Sequence, residues 1–371
     1  MIKVPSNVLS FAANNTSPYL MFVNYWNHYV HMNGGKEREY QKLGADGRPL
    51  SFSEMESQMN EALRKEVVRI SGVSFDSAIS PEQWALNPMV SWASFAVVSA
   101  MIDMILPDAI FDKVGLFAEI KNGGFGDSFA WDIKPRDLFV VSKSGHGQKS
   151  TEVHKQFETT VTVVPEPHQI TVQVALYKVL AGKESLAEFT AKAITSIEAS
   201  MAADAYNVFA TAMGNLTTTG SALMKVVGYT QSSLVSLAQR VQSWNGGAKP
   251  VFAGTALALL PVLPSDGNYR YSLEDPYVKL GYVPVLNGFD LMILDQFADW
   301  TTPFSNLLND SNVYVISPGV NKLLKVCIEG STLSNVGGPF DNSNLTQNAT
   351  FIKNWKVAVA TNSVAGLLTT S

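Results

Sequence analysis

Between Gly182 and Gly214 the chain reads "KESLAEFTAKAITSIEASMAADAYNVFATAM", with no proline and no glycine inside it. Ser185 and Glu188 have the spacing of a capping box, in which the serine oxygen takes the third helical amide and the glutamate reaches back to the cap. The helix formers then continue from Leu186 to Met213, which predicts one helix of roughly 42 Å at a rise of ~1.5 Å per residue. Phe189, Ala193, Ile197, Met201, Ala205 and Phe209 recur every fourth residue. Such a stripe suits a cofactor or a coiled coil, but a helix of this length more simply forms the backbone of a domain and obliges other elements to cover it. The 371 residues are enough to supply them, as two domains or as one elongated body with extensions.

What precedes the helix alternates instead. "DSFAWDI" puts Phe129, Trp131 and Ile133 on one face, "DLFVVSKS" continues in the same style, and Val161 and Val163 alternate with threonines. After "PEPHQ", Ile170, Val172, Val174 and Leu176 alternate through Tyr177. The pattern predicts a β-hairpin whose arms are each far longer than the usual ~5–6 residues. A two-stranded ribbon of that length needs a surface to lie on. Its distal half is rich in Thr, Ser, Lys and Gln, so the expectation is that it leaves its own domain and docks elsewhere, a neighbouring subunit included. Its tip, "SKSGHGQKS" at 142–150, superficially resembles a phosphate loop. A phosphate loop needs glycines where Gln148 and Lys143 stand, and a helix after it; here a Thr/Val-rich strand follows.

Residues 1–50 mix Asn and Gly with Phe22, Tyr25, Trp26 and Tyr29 without a sustained period. They are too aromatic for a free tail, and read either as a loop packed on its own domain or as an arm across neighbouring subunits. "FSEMESQMNEALRKEVVRI" predicts a helix ending at Gly72, and a second apolar helix spans Trp92–Ile105 and stops before Pro107. "NLTTTGSALMKVVG" marks a boundary. Beyond it, helix "QSSLVSLAQRVQSW", strand "PVFAG", short helix "TALALLPVL" and strand "GFDLMILD" suggest a mixed α/β insertion, with "PSDGNYRY" as a turn. The final alternation, "TFIKNWKVAVATNSVAGLL", predicts a strand that closes the first domain. The fold class is α+β.

Charged residues make up only 16% of the chain against roughly 25% in a typical globular protein. With 7 Trp, 12 Tyr and 19 Phe, this composition resembles the buried parts of subunit interfaces. A net charge of −5 without a basic stripe argues against a protein that coats nucleic acid. The start lacks the apolar run of a signal peptide, and the most apolar stretch, 91–106, reads as too short to span a membrane and carries Asp103. The lone Cys327 excludes an intrachain disulfide and implies reduced, intracellular synthesis; sequons such as Asn344–Thr346 are then chance matches. His28, His31, His146, His154 and His168 show no metal-ligand spacing, and Cys327 after "LLKV" reads as a buried, inert thiol. The motifs of serine hydrolases, zinc proteases and paired-carboxylate enzymes are not found.

The order of elements, an aromatic N-terminal segment, a long hairpin running into a long helix, an inserted α/β unit and a closing strand, resembles the major capsid protein fold of tailed bacteriophages, which encapsulins share. "AGTALALLPVLPSDGNYRYS" looks like that family's short helix leading to a turn, here Asp266, Gly267 and Tyr269. "LGYVPVLNGFDLMILD" looks like its strand entry, with Gly281, Val283, Pro284 and Val285, and "FIKNWKVAVATNSVAGLL" like its terminal strand. The likeness covers most of residues 100–371.

The resemblance implies an N-terminal arm at 1–50 and a peripheral domain made of 51–121, 169–224 and 331–371, with a spine helix at 186–213. It implies an extended loop at 122–168 and an axial domain at 225–330 that meets its copies at five-fold and six-fold centres. Inter-subunit contacts would come from Lys143, Gly145, His146, Gly147 and Lys149 at the loop tip and from Phe22, Tyr25, Trp26 and Tyr29 in the arm. Some members join an extended-loop lysine to a neighbour's asparagine; Lys143 or Lys149 with Asn362 are the candidates here. The implied function is non-enzymatic: pentamers and hexamers forming an icosahedral shell around phage double-stranded DNA, without cofactor, metal, membrane or sequence-specific DNA contact. The expected partners are other copies, a separate scaffolding protein, a portal and a decoration protein, and the expected location is the virion, assembled in the host cytoplasm. Two other readings stand beside it: an encapsulin-type compartment shell, and an intracellular α/β enzyme or binding module, which would be a small oligomer with a ligand-sized pocket.

Overall fold

The computed structural model describes residues 18–33, 51–74, 80–115, 117–134, 159–218, 224–262, 285–294, 296, 298–299, 305–318, 321–338, 342 and 346–370. They form an α+β structure with two principal sheets joined by one long helix. Helices α1 (Pro18–Asn33), α2 (Phe52–Ser71), α3 (Pro81–Ala85) and α4 (Pro88–Val114) come first. Ser51 caps α2 in a full capping box with Glu54, and Gly72 ends it in the left-handed conformation at φ 68°. Strands β1 (Ala118–Gly123), β2 (Phe129–Ile133), β3 (Thr159–Val163) and β4 (Glu166–Val174) lead through α5 (Leu176–Leu180) to the long helix α6 (Leu186–Gly214).

The first sheet has the order β1-β12-β13-β4, where β12 is Leu324–Val336 and β13 is Gln347–Val359. β1 runs parallel to β12, and the other pairs are antiparallel. Alternate residues (Ala118 and Ile120; Leu324, Val326 and Ile328; Phe351, Trp355 and Val357) face α2, α4 and α6 and form one continuous core with them. The second sheet, order β5-β14-β11-β6-β8-β7, combines Lys225–Val227, Gly366–Thr369, Asn312–Ile316, Val251–Gly254, Phe289–Ile293 and Val285–Leu286 in that order. Helix α7 (Gln231–Trp244) covers one face of it through Leu234, Leu237 and Val241 against Phe252, Val313, Val315 and Leu368. The other face meets the distal half of α6, where Phe209 sits edge-on to Tyr314 at 4.7 Å. The long helix therefore packs on both sheets, the role its stripe predicts. Of its expected capping box only one half is formed: Ser185 Oγ accepts from the Glu188 amide at 3.1 Å, and Asn60 of α2 adds a second clamp by accepting from the Ala187 amide at 3.1 Å.

Several expectations change. Residues 18–33 form a helix and not an irregular segment: Phe22, Tyr25, Trp26 and Tyr29 stand at i, i+3, i+4 and i+7, a helical spacing that puts them together against the core. Helix α4 continues through Pro107 to Val114; Pro107 removes the amide that Asp103 C=O would accept, and packing against α2, α6 and β12 carries the helix past it. Its segment Pro88–Pro107 is, by length and composition alone, apolar enough to cross a membrane, against the sequence reading, but most of it is buried inside this fold. The closing strand divides: β13 completes the first sheet, while β14 crosses to the second. β12 likewise joins the first sheet from Leu324, inside the span expected for the insertion.

A buried ion pair fastens α4 to the sheet. Between Glu329 and Leu333 the β12–β13 register shifts by a bulge, with Gly330 at φ 62°. Lys353, only 4% exposed, donates to Asp103 Oδ1 at 2.7 Å and to Gly330 O at 2.6 Å. The same carboxylate accepts from the Thr332 amide (2.8 Å, Oδ2) and hydroxyl (2.6 Å, Oδ1). The bulge is thereby pinned to the helix.

Candidate assembly surface

The residues of opposite parity on the first sheet, among them Glu119, Lys121, Lys325, Cys327, Glu329, Lys356 and Ala358, turn away from the helices. On this outer face sits the root of the ribbon. β2 and β3 pair antiparallel with Trp131 opposite Val161. Phe129, Trp131 and Val163 are buried against Cys327, with Ile133, Val161 and Ala358 around them. Lys121 Nζ donates to Ala130 O at 2.5 Å and lies 4.6 Å from the Trp131 ring centroid, a cation–π contact worth ~0.5–2 kcal/mol. Thr160 donates to Asp132 at 2.8 Å, and the Asn362 amide donates to Lys134 O.

This corrects the hairpin reading. The face carrying Phe129, Trp131 and Ile133 is as expected, but at the ribbon's root its surface is the chain's own sheet; the expected continuation through "DLFVVSKS" to the tip lies outside the described residues. The alternation from Ile170 belongs to β4, which leaves the ribbon and becomes an end strand of the first sheet among the described residues, and Tyr177 is helical in α5. Pro165, between β3 and β4, explains the break, since it offers no amide to continue the ladder.

Beneath the ribbon, Lys325 is 1% exposed and donates to Glu119 at 2.5 Å and to Asn321. Partial burial would raise the Glu119 carboxyl, but the hydrogen bond and charge of Lys325 outweigh it and hold it below its ordinary value. The Cys327 thiol is pushed up by burial.

Just past β1 the turn "GGFGD" is held at both ends. Asp127 Oδ2 accepts from the Gly124 amide at 2.5 Å, and Glu329 Oε1 accepts from the Gly126 amide at 2.8 Å. Asn354 in turn donates to Glu329 at 2.9 Å. Gly126 has φ 86°, a backbone that favours glycine. The turn presents Phe125 at 83% exposure. At the opposite edge, β4 and α6 enclose a groove of about 440 Å³ lined by Pro167, His168, Ile170, Ile197, Phe351 and Trp355. His168 stacks on Trp355 at 3.7 Å with 9° between the rings. Trp355 donates to Asp204 Oδ2 at 2.9 Å, and His168 Nε2 lies 3.7 Å from the same oxygen. A larger cleft, about 1040 Å³, separates α2 from the start of α6, with Glu56, Arg64, Lys65, Lys183, Glu184 and Lys192 around it.

Of the residues singled out in the sequence, Phe22, Tyr25 and Trp26 are each no more than 1% exposed and lie in the chain's own core, with Tyr29 packed beside them. The inter-subunit role expected of these four gives way to an intrachain one, because their apolar area is already spent on α2, α4 and α6. Burial also pushes the Tyr25 phenol well above its ordinary range, with Glu56 and Glu188 adding to it. Lys143, Gly145, His146, Gly147 and Lys149, and Asp266, Gly267 and Tyr269, lie outside the described residues; so do His154 and the side chains of His28 and His31. Asn362, the crosslink candidate, sits at the ribbon root. Among the described residues no cluster of three or more His, Cys, Asp or Glu is placed to hold a metal. The sequence reading passed over Phe125 and the Asp103–Lys353 pair. The signals were present: an aromatic bracketed by glycines, and charges at core-facing positions of an apolar helix and an alternating strand.

No family model matches the chain, and neither does any curated protein. Solved structures do resemble it. The bacteriophage PhiM1 mature capsid is 11% identical, with a TM-score of 0.47 over 68% of this chain and 85% of that one. The capsid of a native GTA particle is 13% identical, with a TM-score of 0.48 over 69% and 89%. The satellite phage P4 procapsid, which includes the size determination protein, is 10% identical, with a TM-score of 0.41 over 72% and 99%.

Proposed function

We propose that this chain is a shell subunit, the major coat protein of a tailed-phage-type head, which associates through rings of five and six into an icosahedral container for double-stranded DNA. The observation that carries the reading is the ribbon. Its root is clamped on the outer face of the first sheet, and beyond β3 the chain runs through β4 and α5 directly into the helix that packs on both sheets. A strap anchored in this way transmits a pull on its tip to the body of the subunit, which a contact between subunits in a closed lattice requires. In this reading the part of residues 122–168 beyond the clamped root, 135–158, reaches over the adjacent copy, with Lys143, Gly145, His146, Gly147 and Lys149 at the reversal. The insertion from 225 onward meets its copies at the ring centres through the Asp266, Gly267 and Tyr269 turn. The net charge of −5 suits a container that encloses DNA without gripping it.

Replacing residues 135–158 by a short turn tests this. The root cluster is left intact, so the shortened chain should unfold at the parent's midpoint yet form no shells. Shell formation by the shortened chain at the parent's yield would overturn the strap role, and a parent chain that forms no shells would overturn the shell reading itself.

A further inference from the structure

Gly123 of β1 pairs with Glu329 of β12, Glu329 with Asn354 of β13, and Asn354 with Pro167 of β4. These four residues form one row across the first sheet. At one end of the row stands the turn with Phe125; at the other opens the groove of Pro167, His168, Ile170, Ile197, Phe351 and Trp355. Three strand spacings at ~4.8 Å separate the ends by about 14 Å. The chain cannot fill its own groove, because the Gly126–Glu329 and Gly124–Asp127 hydrogen bonds fix the turn to the β1 edge.

We propose that Phe125 of one copy seats in the β4-edge groove of the next copy, an inference that rests on the shell reading above. A rigid turn bearing one exposed aromatic loses little freedom on docking, and aromatic anchors in apolar pockets dominate interface energies. Beside those apolar and aromatic residues, Gln169, Ser196, Ser200 and the Asp103-paired Lys353 also line the groove, and its volume is ample for a benzyl group. Knob and groove lie on different edges, so the contact is head-to-tail and propagates from copy to copy until a rotation closes a ring.

The area sets when it acts. A phenylalanine buries ~150–250 Å², and knob and groove together roughly twice that, well under the ~1,000 Å² a specific interface needs. The contact does not hold a free dimer; it acts within an interface that other elements, the ribbon first among them, bring together.

The test is a Phe125→Cys/Ser200→Cys double variant, Ser200 being an exposed residue lining the groove, oxidised after assembly and examined without reductant. Cys327 is buried and stays in place. We expect a ladder of linked chains in the double variant and single chains in each single variant. Phe125→Ala should keep the parent's unfolding midpoint while raising the concentration needed for assembly by at least ~10-fold. Shells whose double variant runs as single chains would overturn the knob contact and leave the shell reading standing, as would linkage in the Phe125→Cys variant alone, which would mean a symmetric contact. A small discrete oligomer without shells would overturn both.

Discussion

Removing the Asp103 carboxylate is the sharpest test of how the first sheet is fastened to its helices. In Asp103→Ala the Lys353 ammonium remains at 4% exposure with Gly330 O accepting from it at 2.6 Å, and the Thr332 amide and hydroxyl lose their acceptor. Leaving one charge of a buried pair uncompensated costs about 3–5 kcal/mol. Asp103→Ala/Lys353→Met removes the stranded charge as well; the unsatisfied Thr332 groups are common to both variants and cancel, and the double variant adds only the unpaired Gly330 O at ~1–3 kcal/mol. The double variant should therefore be more stable than the single one, by about 2 kcal/mol from the difference of those ranges. The Lys65–Glu61 pair, exposed on both sides, serves as the reference: Lys65→Met should leave the unfolding midpoint unchanged. Urea unfolding of the unassembled subunit, followed by tryptophan fluorescence, measures the parent and all three variants. A loss under ~1 kcal/mol for Asp103→Ala, or a double variant no better than the single, would refute the reasoning.

Other positions give independent checks. A Cβ at Gly366 would stand 2.9 Å from Cγ and Cδ1 of the buried Leu237, whereas at Gly214 it would meet nothing within 4 Å. Gly366→Ala should thus lower stability by ~1–3 kcal/mol and Gly214→Ala should not, as thermal unfolding will show. The Glu119 carboxyl is depressed in the fold, so its contribution is present above the unfolded value near ~4.3 and is lost as pH falls through the lower folded value. Glu119→Gln should flatten the acid limb of the stability profile, modestly because the side chain is nearly half exposed; an unchanged limb would contradict the Lys325 assignment. Cys327 should resist a water-soluble thiol reagent in the native subunit and react on unfolding, since burial both hides the thiol and raises it.

What could be read in the sequence follows from what periodicity reports. Helix α7 and strand β6 (Val251–Gly254) lie where the segments "QSSLVSLAQRVQSW" and "PVFAG" put them, because caps, glycines and a clear period bound them. Helix α6 was legible for the same reason, though its buried surface is broader than the Phe189–Phe209 stripe, since it packs on two sheets. Alternation told which face of Phe129, Trp131 and Ile133 is apolar, but not what covers it; the answer, Cys327 and Ala358, lies about two hundred residues downstream. The division of β12, β13 and β14 between two sheets is likewise a long-range fact, set by partners distant in sequence. The aromatic segment around Phe22, Tyr25 and Trp26 announced that it must be covered, yet an own core and a neighbour's surface demand the same residues. For Phe125 the clue was local: a large apolar side chain between glycines in "NGGFGD" has little chain nearby to bury it.

The central claim, that this chain builds a shell, is tested most directly by electron microscopy of the purified full-length chain, expressed alone and together with a scaffolding protein. The account predicts closed shells, or rings of five and six and sheets made from them. A uniform small oligomer under both conditions would contradict it.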